Sequence, residues 1–172
     1  MANAPMKDST EPKKNGTILV IDDDRAILDT FRTLLEREGH EVDVAENGAE
    51  AIDKSQKKYY DLAVIDVKLP DMEGTQLLSN LRSNFPRTKK IVITGYPALE
   101  NAAMAVNLRA DAYLVKPVKP QEFLKIVKEK LQEHDEEENV TEEKVMDWVE
   151  TRYLKAKQKS TGQTQKRQPS KP

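Results

Sequence analysis

The sequence contains no cysteine, which removes disulfides, thiolate chemistry and zinc-thiolate sites together. It has only two histidines, His40 and His134, and neither lies near the acidic strand ends described below, so a soft-metal site finds no ligands there. No apolar run is long enough to span a bilayer. The opening stretch "MANAPMKDSTEPKKNG" lacks the apolar segment of a signal peptide, and a cytoplasmic protein with no membrane partner is the expectation. Neither sign of charge has a large excess: the net charge is -2, which gives no overall drive toward nucleic acid or membrane. What remains is a chain of 172 residues, 37% hydrophobic and 34% charged, enough for one ordinary core with an ionic surface and some tail.

Residues 1–16 are polar and read as a loose arm. From Thr17 onward, short apolar runs alternate with helical patterns. "ILVI" (18–21), "LAVI" (62–65), "IVIT" (91–94) and "YLV" (113–115) suit strands covered on both faces of a parallel sheet. Ile27, Leu28, Phe31, Leu34 and Leu35 fall at helical spacing, with Gly39 as a C-terminal stop. Leu77, Leu78 and Leu81 repeat the pattern, as do Ala102, Ala103 and Val106 more weakly, and then Phe123, Ile126, Val127 and Leu131. "EVDVA" alternates instead, with Val42 and Val44 on one side, and reads as an edge strand. The helix after it, near Ala49 to Lys57, shows only Ala51 and Ile52 as clear apolar positions. Five strands and five helices between Thr17 and His134 make an open, doubly wound α/β sheet with helices on both faces. Residues 135–154 read as an acidic linker followed by a short amphipathic helix bearing Val145, Trp148, Val149 and Tyr153. Residues 155–172 carry only basic charge and are expected to be disordered.

In such sheets the working site lies at the carboxyl ends of the strands. Those ends carry Asp22 and Asp23, Asp66, Thr94 and Lys116. Carboxylates gathered this closely need compensation, and a hard divalent cation such as magnesium supplies it with oxygen ligands. A threonine hydroxyl and a lysine ammonium suit a phosphoryl group, with Asp66 as the nucleophile that accepts it. Asp24 is placed to cap the following helix.

These residues resemble the receiver domain of two-component response regulators. "ILVIDDD" resembles that family's acidic pair, "DLAVIDVKLPDMEG" its phosphoacceptor segment, "IVITG" its hydroxyl position and "ADAYLVKP" its Lys-Pro step. The resemblance spans roughly Thr17 to Leu131, within a domain bounded at 17–134. It implies a flavodoxin-like strand order 2-1-3-4-5, which puts "EVDVA" at an edge. It implies that Asp66 accepts the phosphoryl group. Magnesium would be held directly by Asp23, through water by Asp22, and by Asp66 and the backbone carbonyl of Lys68. Thr94 and Tyr113 would form a switch pair, and Lys116-Pro117 a cis peptide. It further implies a response regulator of a phosphorelay, modified by a sensor histidine kinase or phosphotransfer protein. Such a chain is a signalling domain rather than an enzyme, and its output passes to a downstream protein or through a homodimer formed by the fourth helix, fifth strand and fifth helix.

Blander readings stand beside these. Taken singly, Asp22 or Asp23 could cap a helix, Thr94 could be an ordinary strand residue, Tyr113 could simply pack, and Lys68 and Lys116 could be solvated loop lysines. The Trp148 stripe would pack on its own domain or pair with a second chain or target. The basic tail has no DNA-reading motif, so DNA is not expected as a partner. Two other functions compete. A magnesium phosphatase of the haloacid dehalogenase type would use the Asp-x-Asp within Asp22–Asp24, but would leave Asp66 without a role. An inactive interaction module would be expected to lack one of the site residues.

Overall fold

The apolar runs assemble into one parallel five-stranded sheet in the computed structural model, which describes residues 15–95 and 110–161. Its strands are β1 (Thr17–Ile21), β2 (Glu41–Ala45), β3 (Leu62–Asp66), β4 (Lys89–Thr94) and β5 (Ala112–Val115), arranged β2-β1-β3-β4-β5. The described helices are α1 (Arg25–Arg37), α2 (Gly48–Lys57), α3 (Gly74–Asn84) and α4 (Pro120–Thr161). The helical stripe expected at Ala102, Ala103 and Val106 lies outside the described residues, as does most of the N-terminal arm.

The two-residue period of the strands divides the core into two layers. Ile18, Val20, Leu62, Val64, Ile91 and Ile93 point to one face, where α1 brings Leu28, Phe31 and Leu35 and α4 brings Phe123, Val127 and Leu131. Phe31 and Phe123 stack there with ring centroids 4.3 Å apart. Leu19, Ile21, Ala63, Ile65 and Val92 point to the other face, against Ala51 of α2 and Leu77, Leu78 and Leu81 of α3. Every residue of β3 and β4 is buried, as continuous apolar runs in a covered sheet require. β2 is the edge strand that its alternation suggested. Its Asp43 accepts hydrogen bonds from the Lys58 ammonium and the Tyr60 hydroxyl, which puts charge along that edge.

Helix ends follow their local chemistry. The Asp24 carboxylate caps α1 by accepting from the Ala26 and Ile27 amides at 2.8 and 3.4 Å. At the other end Gly39 adopts φ 92°, and the His40 and Gly39 amides return to the Leu35 and Glu36 carbonyls. This paired closure needs a left-handed residue, which glycine supplies without a Cβ penalty.

Three expectations are corrected. First, β4 begins two residues earlier than "IVIT", and it buries Lys89 and Lys90. The Lys90 ammonium is accommodated by donating to the Phe85 and Thr88 carbonyls. Second, β5 is not covered along its length: Val115 is 43% exposed, because β5 pairs only with β4 among the described strands. Third, residues 135–154 form no linker and residues 155–161 are helical, since α4 continues through Thr161. The reason is composition: from Gln132 to Thr161 there is no glycine or proline, and glutamate, lysine, glutamine, alanine and methionine all favour helix. The chain divides into two compact units, residues 1–134 and 135–172, and the boundary falls within α4. Val140, Val145, Met146 and Val149 are exposed in the second unit. The side chains of Trp148 and of residues 151–161 lie outside what the structure describes. Among the described residues, no helix is long and apolar enough to cross a membrane.

Candidate functional site at the carboxyl ends of the strands

Strand register brings the candidate residues to one rim. Backbone hydrogen bonds continue past the strand ends, from Asp22 N–H to Ala45 O, Val67 N–H to Ile93 O and Lys116 N–H to Thr94 O. Asp22 follows β1, Asp66 closes β3, Thr94 closes β4 and Lys116 follows β5. Asp22, Asp66 and Thr94 are buried, whereas Asp23 is exposed. Carboxylate oxygens of Asp22, Asp23 and Asp66 lie within 4.8 Å of one another. That donor set is all hard oxygen, which fits a divalent cation of the magnesium kind and would repel itself if left uncompensated.

Lys116 supplies compensation from within the chain. Its ammonium lies 2.6 Å from Asp22 Oδ2 and 3.3 Å from Asp66 Oδ1. Backbone amides add to this: Asp24 N–H donates to Asp22 Oδ1 at 2.9 Å and Lys68 N–H to Asp66 Oδ2 at 3.2 Å. Burial is the largest influence on Asp66 and holds its carboxyl above the usual carboxylate value, reinforced by Asp22 and opposed by Lys116. Burial is also the largest influence on Lys116, acting to lower it. The hydrogen bond and charge of Asp22, together with Asp66, outweigh that effect and hold the ammonium above the ordinary lysine value. Asp66 is thus a shielded carboxylate with one oxygen on an ammonium and the other on an amide. Oriented in this way, it is suited to act as an oxygen nucleophile.

The remaining candidates sit around this centre. Tyr113 stands on β5 opposite Val92, packs against the second core layer, and has a buried hydroxyl without a hydrogen-bond partner among the described residues. The Lys116–Pro117 peptide is cis. Lys116 also borders an apolar groove of about 460 Å³ formed with Ile27, Thr30, Phe31, Pro117 and Val118.

Sequence reasoning gave no role to two residues of "LPDMEG". Gly74 begins α3 so close to the site that a Cβ there would lie 2.2 Å from the Asp66 carbonyl oxygen and 2.7 Å from Val67 Cα. Its amide donates to the Val67 carbonyl at 2.6 Å, and Lys68 bridges Glu73, so the loop after β3 closes on itself. Asp71 accepts from the Gly48 and Ala49 amides at 2.9 and 2.8 Å, tying this loop to the start of α2. These amide bonds, led by that of Gly48, hold Asp71 below the usual carboxylate value. The glycine directly before an apolar helical stripe was the available signal for the first residue. Nothing local marks the second, because its partners lie 22 and 23 residues away.

Fold and site together define a doubly wound α/β protein with an acidic, ammonium-balanced site at the sheet's carboxyl rim. Comparison with known proteins narrows that class. The sequence profile of the response regulator receiver domain matches residues 18–128, and the chain belongs to that family. It is 36% identical over 118 residues to the alginate biosynthesis transcriptional regulatory protein AlgB of Pseudomonas syringae, a match covering 69% of this chain and 26% of that protein. The acid tolerance regulatory protein ActR of Rhizobium meliloti is 36% identical over 108 residues, covering 63% of this chain and 56% of ActR. A CheY-like receiver domain crystal structure from Methanospirillum hungatei aligns with a TM-score of 0.70 at 46% identity, covering 72% of this chain and 99% of that one. The chain therefore spans all of a solved receiver domain but only about a quarter to a half of these curated relatives. AlgB is by name a transcriptional regulatory protein, so these relatives do not support the expectation against DNA.

Proposed function

We propose that this protein is a phosphorylation switch of a two-component relay, with Asp66 as phosphoacceptor. The observation that carries the reading is the juxtaposition of the buried Asp66 carboxylate with Lys116, Asp22 and Asp23 at one strand rim. In this reading an Asp66 oxygen attacks the phosphorus of a phosphohistidine on a kinase or phosphotransfer protein. The new P–O bond forms as the P–N bond breaks, and the histidine nitrogen leaves with its electron pair. Asp22, Asp23, Asp66 and the Lys68 carbonyl would hold magnesium, which when bound neutralises phosphoryl oxygens. Lys116 turns its ammonium from the carboxylates toward the phosphoryl group, and the Thr94 hydroxyl donates to it. Water later cleaves the acyl phosphate, so the domain catalyses its own resetting and releases only inorganic phosphate.

The output is conformational. A charge of about -2 arrives beside Thr94 and draws its hydroxyl inward. The unpartnered Tyr113 hydroxyl supports a ring able to change position in response. Modified chains then present altered surfaces to a downstream protein or to each other, including the face that contains β5. The groove beside Lys116 gives a phosphodonor protein an apolar foothold next to the acceptor. The setting is the cytoplasm, where histidine kinases deliver their phosphoryl groups.

Intact mass after incubation with acetyl phosphate tests the reading. The expected result is one added phosphoryl group, dependent on magnesium and absent from Asp66→Asn. An adduct of equal yield in the variant would refute it. Phosphate-ester turnover that depends on Asp22 rather than Asp66 would favour the phosphatase alternative.

A further inference from the structure

We propose that the part of α4 beyond His134 is a self-association element, which pairs antiparallel with the same helix of a second copy. The inference rests on residues 135–161 and is independent of the phosphorylation reading. This stretch is helical to Thr161, and at about 1.5 Å per residue it extends about 40 Å. In proteins most of a helix's stability comes from packing its apolar face against a partner. The apolar residues whose side chains are described there are nevertheless in solvent: Val145 is 53% exposed, Met146 60% and Val149 46%. Tyr153 and Ala156 continue the series at helical spacing, with Met146, Val149, Tyr153 and Ala156 following one another at intervals of three and four.

Charge selects the occupant and its direction. Between Asp135 and Glu150 eight acidic residues stand against the single Lys144. From Thr151 to Thr161 there are four basic residues, Arg152, Lys155, Lys157 and Lys159, and no acid. The apolar series straddles the boundary between the two halves. A parallel pair would set acid against acid along most of its length. An antiparallel pair centred near Val149 sets each acidic half against the basic half of its partner, while the apolar residues meet in the middle. The same sequence is thus complementary to itself in one orientation and repulsive in the other, which favours a second copy over an unrelated partner.

Sedimentation of the full chain across a concentration series tests this. A reversible monomer–dimer equilibrium is expected. Val145→Glu with Val149→Glu should weaken it about tenfold or more. Both residues are exposed and lie outside the unit that holds Asp66, so acetyl phosphate labelling of this variant should match wild type. Arg152→Glu with Lys155→Glu and Lys157→Glu should weaken the dimer similarly and leave acetyl phosphate labelling unchanged. Orientation is read by cysteine crosslinking, for which the chain has no background. Glu143 and Lys157 lie about four turns apart on one edge of the helix. Mixed Glu143→Cys and Lys157→Cys chains should crosslink to each other faster than either does to itself. A chain that stays monomeric at every concentration, a dimer indifferent to both sets of substitutions, or preferred 143-to-143 crosslinks would each overturn the proposal.

Discussion

At the residue scale, Asp66 carries opposing demands. Burial raises its carboxyl above the usual value, so the folded state binds that proton more readily than the unfolded state. Its contribution to stability is fully present below the ordinary aspartate value of about 3.9 and is lost as pH rises through the folded value. Above that point the chain carries a buried charge that folding alone would not select. Asp66→Asn keeps the shape and removes the charge, so the metal-free variant should show a higher urea midpoint than wild type at neutral pH. The two midpoints should converge as pH falls toward about 4. A gap that does not change with pH would assign the effect to packing. Gly74 is the converse case, a residue whose lack of a side chain is its contribution. Gly74→Ala should cost about 1–3 kcal/mol in urea unfolding, because the displaced atoms are backbone and cannot rotate away. It should also slow acetyl phosphate labelling, since the atom it meets belongs to Asp66.

At the element scale, the helices differ in how they are held. α1 has both a carboxylate cap and a glycine closure, and Asp24→Ala should lower stability by about 1 kcal/mol while leaving phosphoryl uptake intact. α4 is anchored through Phe123, fully buried against Phe31, and Phe123→Ala should cost about 3–5 kcal/mol by the same measurement. These differences also explain what could be read without coordinates. The β3 and β4 runs, the α1 stripe and the Asp24 cap declared themselves because their determinants are neighbours in sequence. The edge position of β2 was legible because a half-solvated strand must alternate. Lys90 gave no such sign. Lysine is rarely buried, and its carbonyl partners come from Phe85 and Thr88, in a loop whose path depends on the sheet. The long α4 was misread because a dense acidic run suggests solvated coil, whereas glutamate is also a strong helix former and no breaker follows it before Gly162.

At the scale of the whole molecule, the site was legible as a set before its geometry was available, because parallel topology fixes which ends of the strands meet. Pair contacts such as Lys116 with Asp22 follow from that topology, not from spacing, since 94 residues separate them. Magnesium should raise the thermal midpoint of wild type, by about 2.7 kcal/mol in free energy at a hundredfold excess over its Kd. The gain should be smaller for Asp66→Asn, which loses one of the three carboxylates. One consequence concerns the order of folding and ion uptake. The Lys116 ammonium already sits among the acids and serves as an internal counterion. The proposed ion is therefore expected to enter a site that is already folded, unlike zinc in small domains whose structure waits for the metal. On the proposed reading, a chain without the ion would fold and wait, and adding magnesium would restore its phosphoryl uptake without any refolding.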